Sequence, residues 1–159
     1  MTPSVAAQLD FEPMSESVRI SDELRQAVEE GARLCRKTSA AASGQAPAPG
    51  KWSPREILGH LVDSAANNHR RFVTGQIDPG VAFDGYEQDA WVALQRYGDA
   101  DWDGLITLWH AYNLHLARII AWIPAGHGRL HELAADYVRH LRLHLGQIER
   151  LQAGAATSL

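Results

Sequence analysis

The stretch YVRHLRLHLGQIE, residues 137–149, carries the pattern that decides the fold. It belongs to a longer series whose steps are all three or four residues, formed by Leu133, Tyr137, His140, His144, Ile148 and Leu151. Such steps place side chains on one stripe of an α-helix, and a stripe of this kind is typical of the seam between packed helices. We therefore predict a helix over about residues 130–152 that faces the core of a bundle.

A second strong signal is WSPRE, residues 52–56. Ser53 fits the N-cap of a helix, Pro54 fits its first position, and Glu56 stands where the reciprocal partner of a capping box belongs. Apolar residues at helical spacing follow the motif. We predict a helix that begins here and ends at about residue 73.

Three other segments complete the predicted architecture. Apolar periodicity predicts helices over about residues 16–38 and 103–123, and a short helix over residues 86–98. Residues 39–50, which are rich in Ala, Gly and Pro, are predicted to form a loop. Since no segment shows the alternating pattern of a β-strand, we predict an all-α fold, an up-and-down four-helix bundle with a short extra helix in the central connection.

The size and composition favour a single globular domain. The chain has 159 residues, of which 45% are hydrophobic and 21% charged, an ordinary balance for a protein with a packed core. We predict a flexible N-terminal segment over residues 1–15, the bundle domain over residues 16–152 and a C-terminal tail over residues 153–159.

Charge and hydropathy argue against several classes of protein. The net charge of −4 gives no basic face for nucleic acid. No stretch approaches the roughly 18–20 apolar residues of a membrane span, and the N-terminus lacks the basic start and apolar core of a secretory signal. Cys35 lies in a helix with apolar periodicity, so we expect it to be a core residue. Because it is the single cysteine, no intrachain disulfide can form, and we expect a cytoplasmic protein.

His140 and His144 occupy the middle of the stripe described above. A four-residue step on a helix offsets two side chains by about 40° and about 6 Å, so both imidazoles can reach one ion. Alternatively, each is a core histidine whose nitrogen bonds a hydroxyl or a carboxylate. The pair alone leaves both interpretations open.

A third imidazole favours the metal interpretation. His60 lies on the predicted inward face of the helix that begins at WSPRE, between Ile57 and Leu61. Three neutral imidazoles from two helices match a divalent transition-metal site with open positions for water or substrate, and a shared ion removes the cost of burying them unpaired. Such a site accepts Zn, Ni, Fe or Cu, so the metal is not identified.

The remaining histidines are weaker candidates. His127 and His131 also have the four-residue spacing, but glycines on both sides of His127 predict a loop. His110 and His115 are five residues apart and diverge on a helix, and His69, beside two arginines, is predicted to face solvent.

The segments KWSPREILGHLVD (residues 51–63), Tyr86–Trp91 and HLRLHLGQI (residues 140–148) follow one another in an order that resembles the DinB-like (DinB/YfiT) superfamily of metalloenzymes. The resemblance covers about residues 16–152. It implies a four-helix bundle that holds a divalent metal with three histidines, here His60, His140 and His144. It also implies a metal-dependent hydrolase, or a transferase that uses a low-molecular-weight thiol such as mycothiol or bacillithiol, and a homodimer.

Other residues are candidates for the surroundings of this site. Asp63, three residues after His60, is interpreted as a hydrogen-bond acceptor for a ligand histidine, as an extra ligand, or as a helix-surface acid. Gln147 is placed to bond a metal-bound water, or is an exposed polar residue. The aromatic residues that either line a pocket or belong to the core are Tyr86, Trp91, Trp109 and Tyr112.

Two functional hypotheses follow. The first is a divalent-metal-dependent enzyme acting on a small molecule, by hydrolysis or by thiol transfer, with no catalytic residue assigned beyond the metal ligands. The second is a non-catalytic bundle that binds a small molecule or a partner protein, with a structural metal or none. Structural sites normally have four protein ligands, whereas catalytic sites leave one position open.

Overall fold

The structure, a computed structural model, describes residues 15–157, with side chains described as far as Gly154. Its helices are α1 (Glu16–Arg36), α2 (Ala40–Ser43), α3 (Pro54–Ile77), α4 (Gln88–Gln95), α5 (Trp102–Ala121) and α6 (Gly128–Thr157), with a 3-10 turn at Tyr97–Asp99. The described residues contain no strand. The predicted flexible segment over residues 1–15 lies outside this part of the chain except for Ser15, whose side chain caps α1.

The predicted all-α bundle of four long helices is confirmed, with the short helix α4 in the central connection. Helices α1 and α3 each pack on both α5 and α6. The short helix α2 replaces part of the predicted loop, because Ser39 caps three alanines that favour helix. Helix α6 continues past the predicted end at Gln152, since the following residues are also rich in alanine.

Hydrogen bonds at the two ends of α1 establish the directions of its neighbours. Near the start of α1, Ser17 donates to the carbonyl of Ile123, just beyond α5, and lies 3.0 Å from Nε2 of His131 in α6. Beyond the end of α1, the carbonyl of Thr38 accepts from Nε1 of Trp102, at the start of α5. Helix α1 therefore runs antiparallel to α5 and parallel to α6.

Helices α3 and α5 run in the same direction. His60 near the start of α3 contacts His140 in α6, and a Cβ on Gly75 near the end of α3 would meet Leu130 at the start of α6, so α3 and α6 are antiparallel. The directions consequently do not alternate strictly along the chain. The physical reason is the long connection over residues 78–101, which returns the chain along the roughly 36 Å length of α3 before α5 begins.

The start of α3 is held by the predicted capping box. The Ser53 hydroxyl accepts from the backbone N–H of Glu56 at 3.3 Å, and Oε2 of Glu56 accepts from the backbone N–H of Ser53 at 2.8 Å. Both contacts satisfy N–H groups that the first helical turn leaves unpaired. This rigid start lies only seven residues before His60, and it orients the inward face of α3.

The central connection packs tightly against α3 at Gly59. A Cβ added to Gly59 would lie 2.1 Å from the Tyr97 ring, a separation that van der Waals repulsion forbids. Glycine at this position therefore lets the 3-10 turn approach the helix, one residue before His60.

The core is continuous through the four long helices and includes Cys35, which is fully buried. Burial raises the pKa of the Cys35 thiol to about 12, so the group stays protonated, as expected for a core residue. Within residues 15–157, no helix combines the length and the apolar character that crossing a membrane requires.

Candidate metal centre

Helices α3 and α6 bring three histidines together inside the bundle. One ring nitrogen from each of His60, His140 and His144 can be chosen so that all lie within 4.8 Å of one another. Nε2 of His60 is 3.0 Å from Nε2 of His140, and the ring centroids are 4.5–5.2 Å apart. The structure therefore brings the three predicted residues together.

Each of the two helices positions its histidines by a local feature. His140 and His144 lie one turn apart on α6, so their rings lie on one face and meet edge to face. His60 is fully buried, and the Trp52 ring packs on it with centroids 5.0 Å apart. Trp52 precedes the capping box, so the residue at the entry to α3 also covers the deepest histidine of the cluster.

Burial keeps the three imidazoles neutral. Desolvation, and the proximity of His144 and His140, lower the pKa of His60 to about 3. Desolvation and His144 lower the pKa of His140 to about 4. Burial also lowers the pKa of His144, and the hydrogen bond that His144 donates to Gln147 opposes this by raising it. At neutral pH each ring therefore has an unprotonated nitrogen, the form that a metal requires.

The donor set fits a divalent transition metal. In a tetrahedral site with ligand bonds of about 2.0–2.1 Å, ligand nitrogens lie about 3.4 Å apart. Here Nε2 of His60 and Nε2 of His140 are 3.0 Å apart, and the three nitrogens lie within 4.8 Å of one another. Nδ1 of His60 is buried and has no hydrogen-bond partner among residues 15–157. No acidic side chain of the described residues joins the group. No protein group among the described residues bonds all three of these neutral nitrogens. Binding of a cation between them is therefore favourable.

Gln147 contacts the ring of His144. Oε1 of Gln147 lies 2.8 Å from Nδ1 of His144, which matches an amide oxygen that accepts from a protonated Nδ1. This tautomer leaves Nε2 of His144 free to bind an ion. In the structure Gln147 thus orients an imidazole, whereas the sequence pattern suggested a hydrogen bond to a bound water.

Asp63 is buried and lies outside the group of three histidines. Its Oδ1 accepts hydrogen bonds from the Tyr97 hydroxyl and from Nε2 of Gln95, each at 2.7 Å, and its Oδ2 has no partner among the described residues. Burial raises the pKa of Asp63, and these two hydrogen bonds oppose the rise. The interpretation of Asp63 as a surface acid is wrong. The carboxylate instead joins α3 to the central connection.

Tyr97 and Gln95 were missed in the sequence analysis. Gln95 lies at the end of α4 and Tyr97 in the 3-10 turn, and no periodicity relates them to α3. Tyr97 packs against Gly59, and a glycine inside a helix is the one local feature of the sequence that indicates a close approach of another segment to this face of α3.

Of the aromatic candidates, Tyr86 lies beside the histidine cluster and Trp109 lies in the core. Tyr86 lines a cavity beside His140, and its ring packs on Trp91 with centroids 4.9 Å apart. The Tyr86 hydroxyl is buried without a hydrogen-bond partner among residues 15–157, and burial with the charge of Asp63 raises its pKa to about 12. Trp109 is fully buried in the core.

Tyr112 lies away from the three histidines, where α3 meets α5. Its hydroxyl is 3.0 Å from Nδ1 of His69, and the His69 ring also packs on His115 with centroids 5.3 Å apart. His69 is half-buried, so the prediction that it faces solvent is wrong in that respect. Tyr112 therefore stabilises a helix contact and does not line either cavity beside the cluster.

Two cavities each have one histidine of the cluster in their wall. A cavity of about 620 Å³ has His144, Gln147 and Trp52 in its wall. A smaller one of about 270 Å³ has His140, Tyr86 and Tyr137 in its wall. The larger volume is in the range of small-molecule sites. A reactant can thus approach the cluster from solvent.

A family model described as the DinB superfamily matches residues 22–148. Among solved structures, the chain is similar to YfiT from Bacillus subtilis, described as a probable metal-dependent hydrolase with an unusual four-helix bundle topology. The two share 17% sequence identity with a TM-score of 0.74, over 98% of this chain and 94% of that one. This likeness shows the fold. No curated protein matches.

Proposed function

Since the chain belongs to the DinB superfamily, we propose that it is a divalent-metal-dependent enzyme that hydrolyses a small molecule. The observation that carries the proposal is the convergence of His60, His140 and His144 from two helices. The description of YfiT as a probable metal-dependent hydrolase supports the reaction class.

His60, His140 and His144 are the residues that would hold the metal, which we propose to be Zn, Ni or Fe. When bound at three neutral imidazoles, such an ion supplies Lewis acidity toward a carbonyl oxygen and toward the nucleophile. The chain itself supplies orientation. Gln147 holds the ring of His144, and Trp52 excludes water from the face of His60 that it covers.

The number of protein ligands favours a catalytic site over a structural one. Structural sites normally close the coordination shell with four side chains, whereas the cluster here contains three among the described residues. Asp63, which the sequence offers as a candidate for a fourth ligand, accepts hydrogen bonds from Tyr97 and Gln95 through Oδ1. In the alternative, a non-catalytic bundle, a structural metal would lack a fourth protein ligand among the described residues.

A transferase that uses a low-molecular-weight thiol is the second candidate. The cavity beside His144, of about 620 Å³, has room for a second reactant next to a small substrate. Hydrolysis and thiol transfer differ in the nucleophile, so a substrate turned over only with added thiol would favour the transferase. We also propose a homodimer, following the family resemblance, and a cytoplasmic location, following the single buried cysteine, Cys35.

Metal analysis tests the proposal before any substrate is known. We expect one equivalent of a divalent transition metal per chain by elemental analysis, and calorimetric titration of the metal-free protein with the same stoichiometry. The variants His60→Gln, His140→Gln and His144→Gln should lose this binding, whereas His110→Gln, at a residue held by Glu29 on another face, should retain it. Binding that survives in the first three variants would remove the proposed mechanism.

A further inference from the structure

The larger cavity beside the cluster combines an apolar wall with a charged rim. Ile57 is buried at 4% exposure and Trp52 and Leu151 are half-buried, so these side chains present apolar surface to the cavity. His144 and Gln147 add the polar part of the wall. A ligand in this cavity therefore meets apolar surface and the metal cluster at the same time.

Two cations and one acid form the rim. Lys51 and Arg150 line the cavity from different elements, one from the segment before α3 and one from α6, and Asp89 lines it from α4. Neither cation has a carboxylate within ion-pair distance among the described residues. With one acid against two cations, the rim has an excess of one positive charge although the chain carries −4.

The backbone conformation before Lys51 fixes the position of this residue. Gly50 has a φ of +74°, a left-handed conformation that favours glycine, and the N–H of Lys51 donates to the carbonyl of Ala48 at 3.1 Å. On its other side Lys51 precedes Trp52, whose ring packs on His60. The turn and the packed ring hold the Lys51 backbone at the cavity from both sides.

We infer that this cavity binds a substrate that carries a carboxylate next to an apolar group, with Lys51 and Arg150 as the residues that recognise the carboxylate. The apolar group lies against Ile57, Trp52 and Leu151. The excess of one positive charge selects a singly charged anion, and guanidinium and ammonium groups are the usual partners of carboxylates. This inference rests on the proposed function for its substrate, and it concerns residues outside the histidine cluster.

Two fluorescent probes that differ only at the charged end test the inference. Dansylglycine carries a carboxylate beside an aromatic ring system, and dansylglycinamide, in which a carboxamide replaces the carboxylate, is its uncharged counterpart. We expect wild-type protein to bind dansylglycine more tightly than dansylglycinamide. The double variant Lys51→Gln, Arg150→Gln should weaken dansylglycine binding on the order of tenfold and leave dansylglycinamide binding unchanged.

Control variants define the outcomes. Asp89→Asn should bind dansylglycine as tightly or more tightly, because it removes the acid of the rim, and Arg33→Gln on α1 should behave as wild type. Sodium benzoate should displace the probe, and equimolar phosphate should not. No binding by wild type, equal affinity for the two probes, displacement by phosphate alone, or full affinity in the double variant would overturn the inference.

The same titrations separate this inference from the proposed function. Probe binding is measured on protein of known metal content, with and without its metal. If no metal binds but the dependence on Lys51 and Arg150 is found, the proposed function fails and the carboxylate site stands. If metal binds at the three histidines and the double variant retains full affinity for dansylglycine, the carboxylate site alone fails.

Discussion

Nε2 of His60 lies 3.0 Å from Nε2 of His140, although 80 positions separate the two residues in the sequence. Two neutral imidazoles at this distance share at most one proton, and neither ring finds a carboxylate among the described residues. The arrangement is therefore better suited to a cation than to a closed hydrogen-bond network.

Metal binding should stabilise the fold. A ligand that binds only the folded state at 100 times its Kd adds about 2.7 kcal/mol to the free energy of unfolding. We expect a divalent metal to raise the Tm of wild-type protein and to leave the Tm of His140→Gln unchanged. Differential scanning calorimetry of both proteins, with metal and with a chelator, measures the difference. Equal shifts in the two proteins would place the metal elsewhere.

The metal-free protein should lose stability as the pH falls from about 6.5 towards about 3. The pKa values of His60 and His140 are lowered to about 3 and about 4 in the folded state, so between those values and 6.5 the unfolded chain binds more protons. Unfolding then becomes easier at each step down in pH. Urea denaturation of metal-free wild type and His140→Gln between pH 7 and pH 4 tests the sign.

The comparison between those two proteins isolates the cluster from other titrating groups. The stability of His140→Gln should depend less on pH than that of wild type, and His110→Gln should follow wild type. Parallel curves for wild type and His140→Gln would show that His140 is not held neutral by burial.

Gln147→Ala should weaken metal binding by about 10- to 100-fold, because Gln147 holds the His144 ring through Nδ1 at 2.8 Å. Calorimetric titration of the metal-free variant gives the change in Kd. Gln76→Ala is a matched control, since among residues 15–157 the amide of Gln76 bonds the Phe72 carbonyl of its own helix and no other residue. An unchanged Kd in Gln147→Ala would mean that His144 is oriented by helix packing alone.

Gly59→Ala should destabilise the protein by about 1–3 kcal/mol or more, because the new Cβ would lie 2.1 Å from the Tyr97 ring. Urea denaturation measures the loss. Gly146→Ala is the control within a helix: its Cβ would meet only the flexible end of Arg150 at 3.4 Å, so a gain of about 0.5–1 kcal/mol is expected. Equal effects of the two substitutions would contradict the tight packing of the central connection on α3.

Much of this arrangement could be predicted from local patterns. The capping box at Ser53, the stripe through His140 and His144, and the inward position of His60 depend on residues within a few turns of one another. Helical periodicity and N-cap chemistry act over that same range, so they predict the four long helices and the faces on which the three histidines lie. Helix α2 was not predicted, and α6 was predicted to end too early, since alanine-rich segments form or continue a helix without a periodic signal.

The directions of the helices and the contacts between them could not be predicted from local sequence and are known only from the folded structure. The common direction of α3 and α5, the burial of Asp63 beneath Tyr97, and the pairing of Tyr112 with His69 join segments far apart in sequence. None of these follows from the periodicity of one helix, because packing depends on which faces meet and on how far the central connection travels. Local sequence thus assigned the imidazoles to helix faces, whereas long-range packing determined that three of them meet around one point and which polar groups surround them.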